Sequence, residues 1–210
     1  MPETDDAGAV QQAGGQPKQE RARRTKAQIL RAAAEIFAEH GYAAVTLQDV
    51  AARASMTKGA VYFHFANKQV LALAVVEEHY RRWPPLLERV RALGLSPLES
   101  LLAVLDGTAE AFRHDTVVQA GARLQIERSL IDADLPQPYV WWPEVLAEFI
   151  ARARDAGQLR PETSPESLAR VFVSAFFGMQ HTSDVLTGRA DLMDRYVEMR
   201  DALLKGFVVG

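Results

Sequence analysis

The chain has 210 residues, 48% of them hydrophobic, with no cysteine and a formal net charge of −3. That is enough apolar matter to bury a core in one large domain or two small ones, and the missing thiols exclude disulfides and thiolate metal centres, as expected of a reducing compartment such as the cytoplasm. The longest apolar run, "VFVSAFFGM" at 171–179, falls well short of the roughly 20 residues a membrane-spanning helix needs, so no membrane partner is expected.

In chain order, residues 1–17 are acidic, broken by Gly and Pro, and lack the apolar stretch of a secretory signal; they read as a disordered tail. From Lys18 to Lys68 nine Lys and Arg stand against four acids, a net +5, whereas the remainder from Gln69 onward carries −5. A basic front end on an acidic body points to a polyanion at one end, because attraction to phosphate follows the local field. A solvated charged helix face has the same composition.

Helical periods and caps recur, and no segment alternates as a strand does, so the fold is expected to be all-α. The apolar period predicts a first helix over roughly Ala22–Glu39, with Ile29, Ala33, Ile36 and Phe37 on one face and Gly41 as its stop. Its basic start has the wrong sign for a helix N-terminus, which phosphate company would explain. Thr46 caps a short second helix, with Asp49 completing a capping box. Thr57 caps a third over "KGAVYFHF", in which Val61, Phe65 and Phe63 can turn inward while Lys58, Tyr62 and Lys68 face out. Together these form a three-helix unit ending in a helix-turn-helix.

A connecting rod follows from Asn67, with a break expected near Arg82 because Pro84 and Pro85 interrupt it. Ser96 caps the next helix, roughly Pro97–His114, and further helices should cover roughly Val117–Ile131, Val140–Ala156, Pro165–Leu186 and Asp191–Phe207. The penultimate helix is apolar nearly all round, which suits a symmetric homodimer built on two helices from each subunit.

The stretch "ILRAAAEIFAEHGYAAVTLQDVAARASMTKGAVYFHFANKQVL", Ile29–Leu71, closely resembles the DNA-binding domain of TetR-type transcriptional repressors. The resemblance implies an N-terminal helix-turn-helix domain over 18–68 and a C-terminal ligand-binding and dimerisation domain over 69–210. It further implies that Thr46 and Thr57 touch phosphate or cap helices. Lys58 and Gly59 then approach base edges of a double-stranded operator, and Tyr62, His64 and Lys68 clasp its backbone, roles that suit their donors. Palindromic half-sites would mirror the dimer.

"VVEEHYRRWPPLLE", "AGARLQIER", "LPQPYVWWPEV", "AGQLR" and "AFFGMQHTSDVL" resemble the receptors for γ-butyrolactone and related furan autoregulators, a TetR subfamily that controls antibiotic production. By that resemblance Trp142 lines a cavity, Trp83 belongs to the same site, and Tyr80, Gln125 and Tyr139 offer polar anchors to a small oxygenated ligand, a mixture that also suits a mostly apolar pocket. The same aromatics could equally fill a core with their polar tips satisfied. Arg123 and Arg128 flank Gln125 and suit either a ligand carboxylate or the surface. The alternative is a pseudo-receptor or multidrug-sensing repressor answering to an antibiotic or another small molecule. No catalytic motif, cofactor fingerprint or metal-ligand spacing is visible, so neither an enzyme nor a bound cofactor is expected.

Overall fold

The computed structural model describes residues 15–209, with side chains from residue 19 onward; the expected tail lies outside the described residues as far as residue 14. Ten α-helices follow in order among the described residues: α1 Gly15–His40, α2 Leu47–Arg53, α3 Lys58–His64, α4 Lys68–Tyr80, α5 Trp83–Ala92, α6 Pro97–His114, α7 Thr116–Ile126, α8 Trp141–Asp155, α9 Pro165–Thr187 and α10 Leu192–Leu204. The only extended pairing among them is an isolated bridge between Leu159 and Val208.

The break in the rod falls where Pro84 and Pro85 require it. α4 ends at Tyr80, and the two prolines occupy the first turn of α5, where a missing N–H is harmless. α1 begins earlier than the Ala22 that the apolar period marks. Residues 18–28 are mostly Lys, Arg, Gln, Glu and Ala, which favour helix without needing a buried face.

Two cores form. One gathers Ile29, Phe37, Val50, Val61, Phe65 and Val76 from α1 to α4, so it runs past Lys68 into the rod. The other gathers Trp83, Phe112, Trp142, Phe149, Phe172 and Tyr196 from α5, α6, α8, α9 and α10. α7 serves both: Val117, Ala120 and Leu124 lie in the first, Val118 and Ala122 in the second. A helix buried on both flanks ties the movement of one core to the packing of the other.

At the seam, buried His79 at the end of α4 donates from Nδ1 to the carbonyl of Val118 at 3.1 Å, and its ring meets Trp83 edge-on with centroids 5.2 Å apart. Burial, the main cause, pushes the imidazole down to about 4. The unfolded chain therefore takes up a proton below about pH 6.5 that the folded chain refuses. Stability should fall as pH drops from about 6.5 towards 4, by up to about 1.4 kcal/mol per pH unit from this group. Urea unfolding across that window should show a shallower pH slope in His79→Gln; an identical slope would disprove the assignment.

Candidate nucleic-acid interface and ligand cavity

α2 and α3 meet through a tight turn in which Ser55 takes φ 55° and the Met56 N–H donates to Ala51 O at 2.9 Å. Val50 and Ala51 of α2 and Val61 and Phe65 at α3 are buried in the core they share with Ile29 and Phe37 of α1. Arg53 pins α2 to α1 through Glu39 at 2.7 Å and Glu35 at 3.3 Å. With its inner side so fixed, α3 presents Lys58, Gly59 and Tyr62 outward, and nothing lies within 4 Å of where a Cβ on Gly59 would sit. The Lys58 ammonium stands 5.5 Å over the Tyr62 ring. His64 is half-buried. Phe63 departs from the inward expectation: it is 81% exposed, because the inward angular sector of so short a helix is already filled by Val61 and Phe65.

The two threonines are caps. Thr46 donates its N–H and hydroxyl to the Asp49 carboxylate and accepts from the Asp49 N–H, so both of its donors are engaged. Thr57 accepts from the Ala60 N–H at 3.2 Å, which leaves its hydroxyl proton available outward. Lys68 donates to Tyr42 O at 2.9 Å, fastening the start of α4 to the α1–α2 loop. Thr46, Tyr62 and Lys68 border one open groove together with Asn67.

In the C-terminal core, α6, α8 and α9 enclose an apolar cavity of about 30 Å³ lined by Thr108, Phe112, Trp142, Phe172, Phe176 and Phe177, among others. Of the five expected ligand residues only Trp142 lines it. Trp83 stands behind, stacked on Phe112 and edge-on to Trp142 with centroids 5.2 Å apart. Tyr80 and Gln125 form a separate pair: the Gln125 amide donates to Tyr80 Oη at 3.1 Å and to Pro136 O at 3.0 Å. Tyr139, at φ 65° and 43% exposed, meets the Phe177 ring edge-on with centroids 4.5 Å apart. Burial raises the phenol pKa of both Tyr80 and Tyr139, so both remain donors. Two buried polar atoms lack partners here, Trp83 Nε1 and Gln125 Oε1, and a buried unpaired polar atom is costly unless something else satisfies it. The phenylalanines of the cavity carry no mark in the sequence that separates them from ordinary core.

Arg123, on α7, is committed elsewhere. It donates to the carbonyls of Ala38 and Glu39 at 2.9 and 3.2 Å, satisfying the C-terminal end of α1, and pairs with Glu127, which accepts the Tyr42 N–H. Between them sits Gly41 at φ +76°, where any Cβ would collide with both side chains. This clamp joins α7 to the helix-turn-helix unit. Arg128 spans loop atoms instead, reaching Gln137 and Leu135 O. Among the described residues there is no cluster of three metal-ligating side chains and no helix long and apolar enough to cross a membrane.

Residues 29–75 match the bacterial regulatory proteins of the tetR family, and residues 95–209 match the tetracyclin repressor-like C-terminal domain. The chain belongs to the TetR family of bacterial regulatory proteins. It is similar to the A-factor receptor protein of Streptomyces griseus, 35% identical over 182 residues that make up 87% of this chain and 63% of the receptor, so it spans less than two thirds of that protein's length. A solved structure concerning the molecular basis for control of antibiotic production by bacterial hormones superposes with a TM-score of 0.82 and 54% identity, covering 89% of this chain and 98% of the other. CprB from Streptomyces coelicolor, solved with its biological operator sequence, superposes with a TM-score of 0.80 and 32% identity, covering 90% of each chain.

Proposed function

We propose that the chain is a ligand-released transcriptional repressor: a homodimer that holds a palindromic operator until a small autoregulator, a γ-butyrolactone, butenolide or alkyl furan acid, enters the C-terminal domain, with genes of antibiotic biosynthesis as its targets. The observation that carries this reading is the position of α7, common wall of the helix-turn-helix core and of the core that holds the cavity. Similarity to the A-factor receptor and to the hormone-linked structure supports the ligand class, and similarity to operator-bound CprB supports the DNA partner. Val171, Val185, Leu186 and Val197 leave apolar surface exposed on α9 and α10, the face a second copy would cover.

In this reading Lys58 and Gly59 meet base edges, while Tyr62, His64, Lys68 and the Thr57 hydroxyl meet phosphate. Residues 18–68 read DNA, residues 69–210 sense and dimerise, and α4 and α7 belong to both tasks. A cavity of about 30 Å³ holds about one water, whereas small-molecule sites run to roughly 300–1,000 Å³. Ligand entry must therefore part α6, α8 and α9. Trp83 and Trp142 move with that opening, His79 moves with Trp83, and α7 carries the Arg123–Glu127 clamp with it. A hundredfold loss of operator affinity needs only about 2.7 kcal/mol of preference of the ligand for the opened state. The cavity lining contains no carboxylate, which disfavours a sensor of bulky cations.

Titration of the purified protein with lactones, butenolides and alkyl furan acids should quench its tryptophan fluorescence. The same concentrations should release it from a duplex carrying its own promoter. Saturation by a ligand that leaves duplex affinity unchanged would refute the coupling. A response to antibiotics alone would identify a pseudo-receptor.

A further inference from the structure

α3 carries one large side chain that its core does not use. Val61 and Phe65 are buried one turn apart and define the inner side of the helix. At 100° per residue, Phe63 lies about 160° from each of them, facing away from the protein. At 81% it is the most exposed of the large hydrophobic residues among those described, and its ring meets that of His64 edge-on, with centroids 5.1 Å apart. Gly59 lies one turn earlier on the same stripe with open space around it, so the backbone can approach a groove floor closely there while Phe63 projects into it. Tyr62 and Lys58 occupy the neighbouring stripe.

A phenyl ring has no donor and no acceptor. The major-groove edge of a base pair carries one apolar group, the C5-methyl of thymine. We propose that Phe63 is a specificity-determining residue that packs on a thymine methyl at one position of each operator half-site. This rests on α3 being the element that enters the major groove, with Lys58 as a polar neighbour in the readout. Apolar contact of that kind selects thymine over cytosine, and over uracil in the same hydrogen-bonding frame, because uracil differs only by the missing methyl.

The test uses the full-length protein and an operator obtained by binding-site selection. Each thymine of a half-site is replaced in turn by deoxyuridine, and affinity is read by fluorescence anisotropy at constant salt. The intact protein should lose about fivefold to tenfold at one thymine per half-site, the order expected for a buried methyl group. Phe63→Ala should lose a similar factor on the thymine operator and be indifferent to uracil at that position, while Phe63→Leu should retain part of the discrimination. Phe63 is exposed, so these variants should fold as the parent does. Uracil sensitivity that persists in Phe63→Ala, or that occurs at no position, overturns the inference. If Lys58→Ala also leaves duplex affinity unchanged, the reading of α3 as the DNA-facing helix falls; if Lys58→Ala weakens binding while Phe63→Ala does not alter uracil sensitivity, only the thymine contact falls.

Discussion

Gly121→Ala is expected to destabilise the protein by about 1–3 kcal/mol and to weaken its hold on the operator in the same variant. A Cβ at this position would lie within 3 Å of the Cβ, Cγ and Nδ1 of His79. The clash falls on the root of a side chain that is buried and bonded to Val118 O, so rotation cannot relieve it and α4 or α7 must shift. Thermal unfolding should show the loss as roughly 2–4 °C in Tm for each kcal/mol. Operator affinity should fall because the start of α4 is tied to Tyr42 through Lys68, so a displaced rod re-aims the helix-turn-helix. Adding His79→Gly removes the obstacle, Cβ included, and the double variant should be less destabilised than the sum of the two single ones. Strict additivity would mean that the α4–α7 seam is slack and cannot transmit anything.

The second large effect belongs to the reading helix itself. Lys58→Ala and Tyr62→Ala should each weaken operator binding about tenfold, and the pair about a hundredfold, a loss of roughly 2.7 kcal/mol. Both side chains are outside the core, Tyr62 at 45% exposure, so unfolding should change by no more than about 0.5 kcal/mol. The two variants should also differ in kind: loss of a base contact at Lys58 relaxes preference at one operator position, whereas loss of a phosphate contact at Tyr62 weakens all sequences alike. Gel shifts with unchanged affinity in both would remove α3 from the interface. Lys68→Ala is a poor substitute for either, because its bond to Tyr42 O makes any loss partly structural.

Features encoded locally were legible in the sequence. α6 starts at the expected Pro97 because Ser96 and Glu99 form a reciprocal cap, and it stops at the expected His114, after which Asp115 turns extended; the rod breaks where two prolines demand it. The start of α1 was not, since a solvated basic stretch leaves no apolar period to read. The sequence leaves Phe63 free to turn inward beside Val61 and Phe65; only the angle to those two buried residues places it outside, and α3 is too short for a period to show it. The Arg123–Glu127 clamp joins residues some 85 positions apart, a distance over which sequence carries no geometric signal. Phe112, Phe172, Phe176 and Phe177 become a cavity wall only once three helices from distant segments converge. Trp142 was anticipated by resemblance, whereas Tyr80 and Gln125 were anticipated as separate anchors and are bonded to each other.

The resting size of the cavity has a consequence for sensitivity. In the proposed reading a guest meets a cavity of only about 30 Å³ between α6, α8 and α9, so its apparent dissociation constant is the intrinsic one divided by the fraction of time the helices stand apart. The threshold concentration for induction would then be adjustable from a distance: a substitution at the ends of α6, α8 or α9 that never touches the guest can set the alarm finer or coarser, leaving chemical selectivity intact.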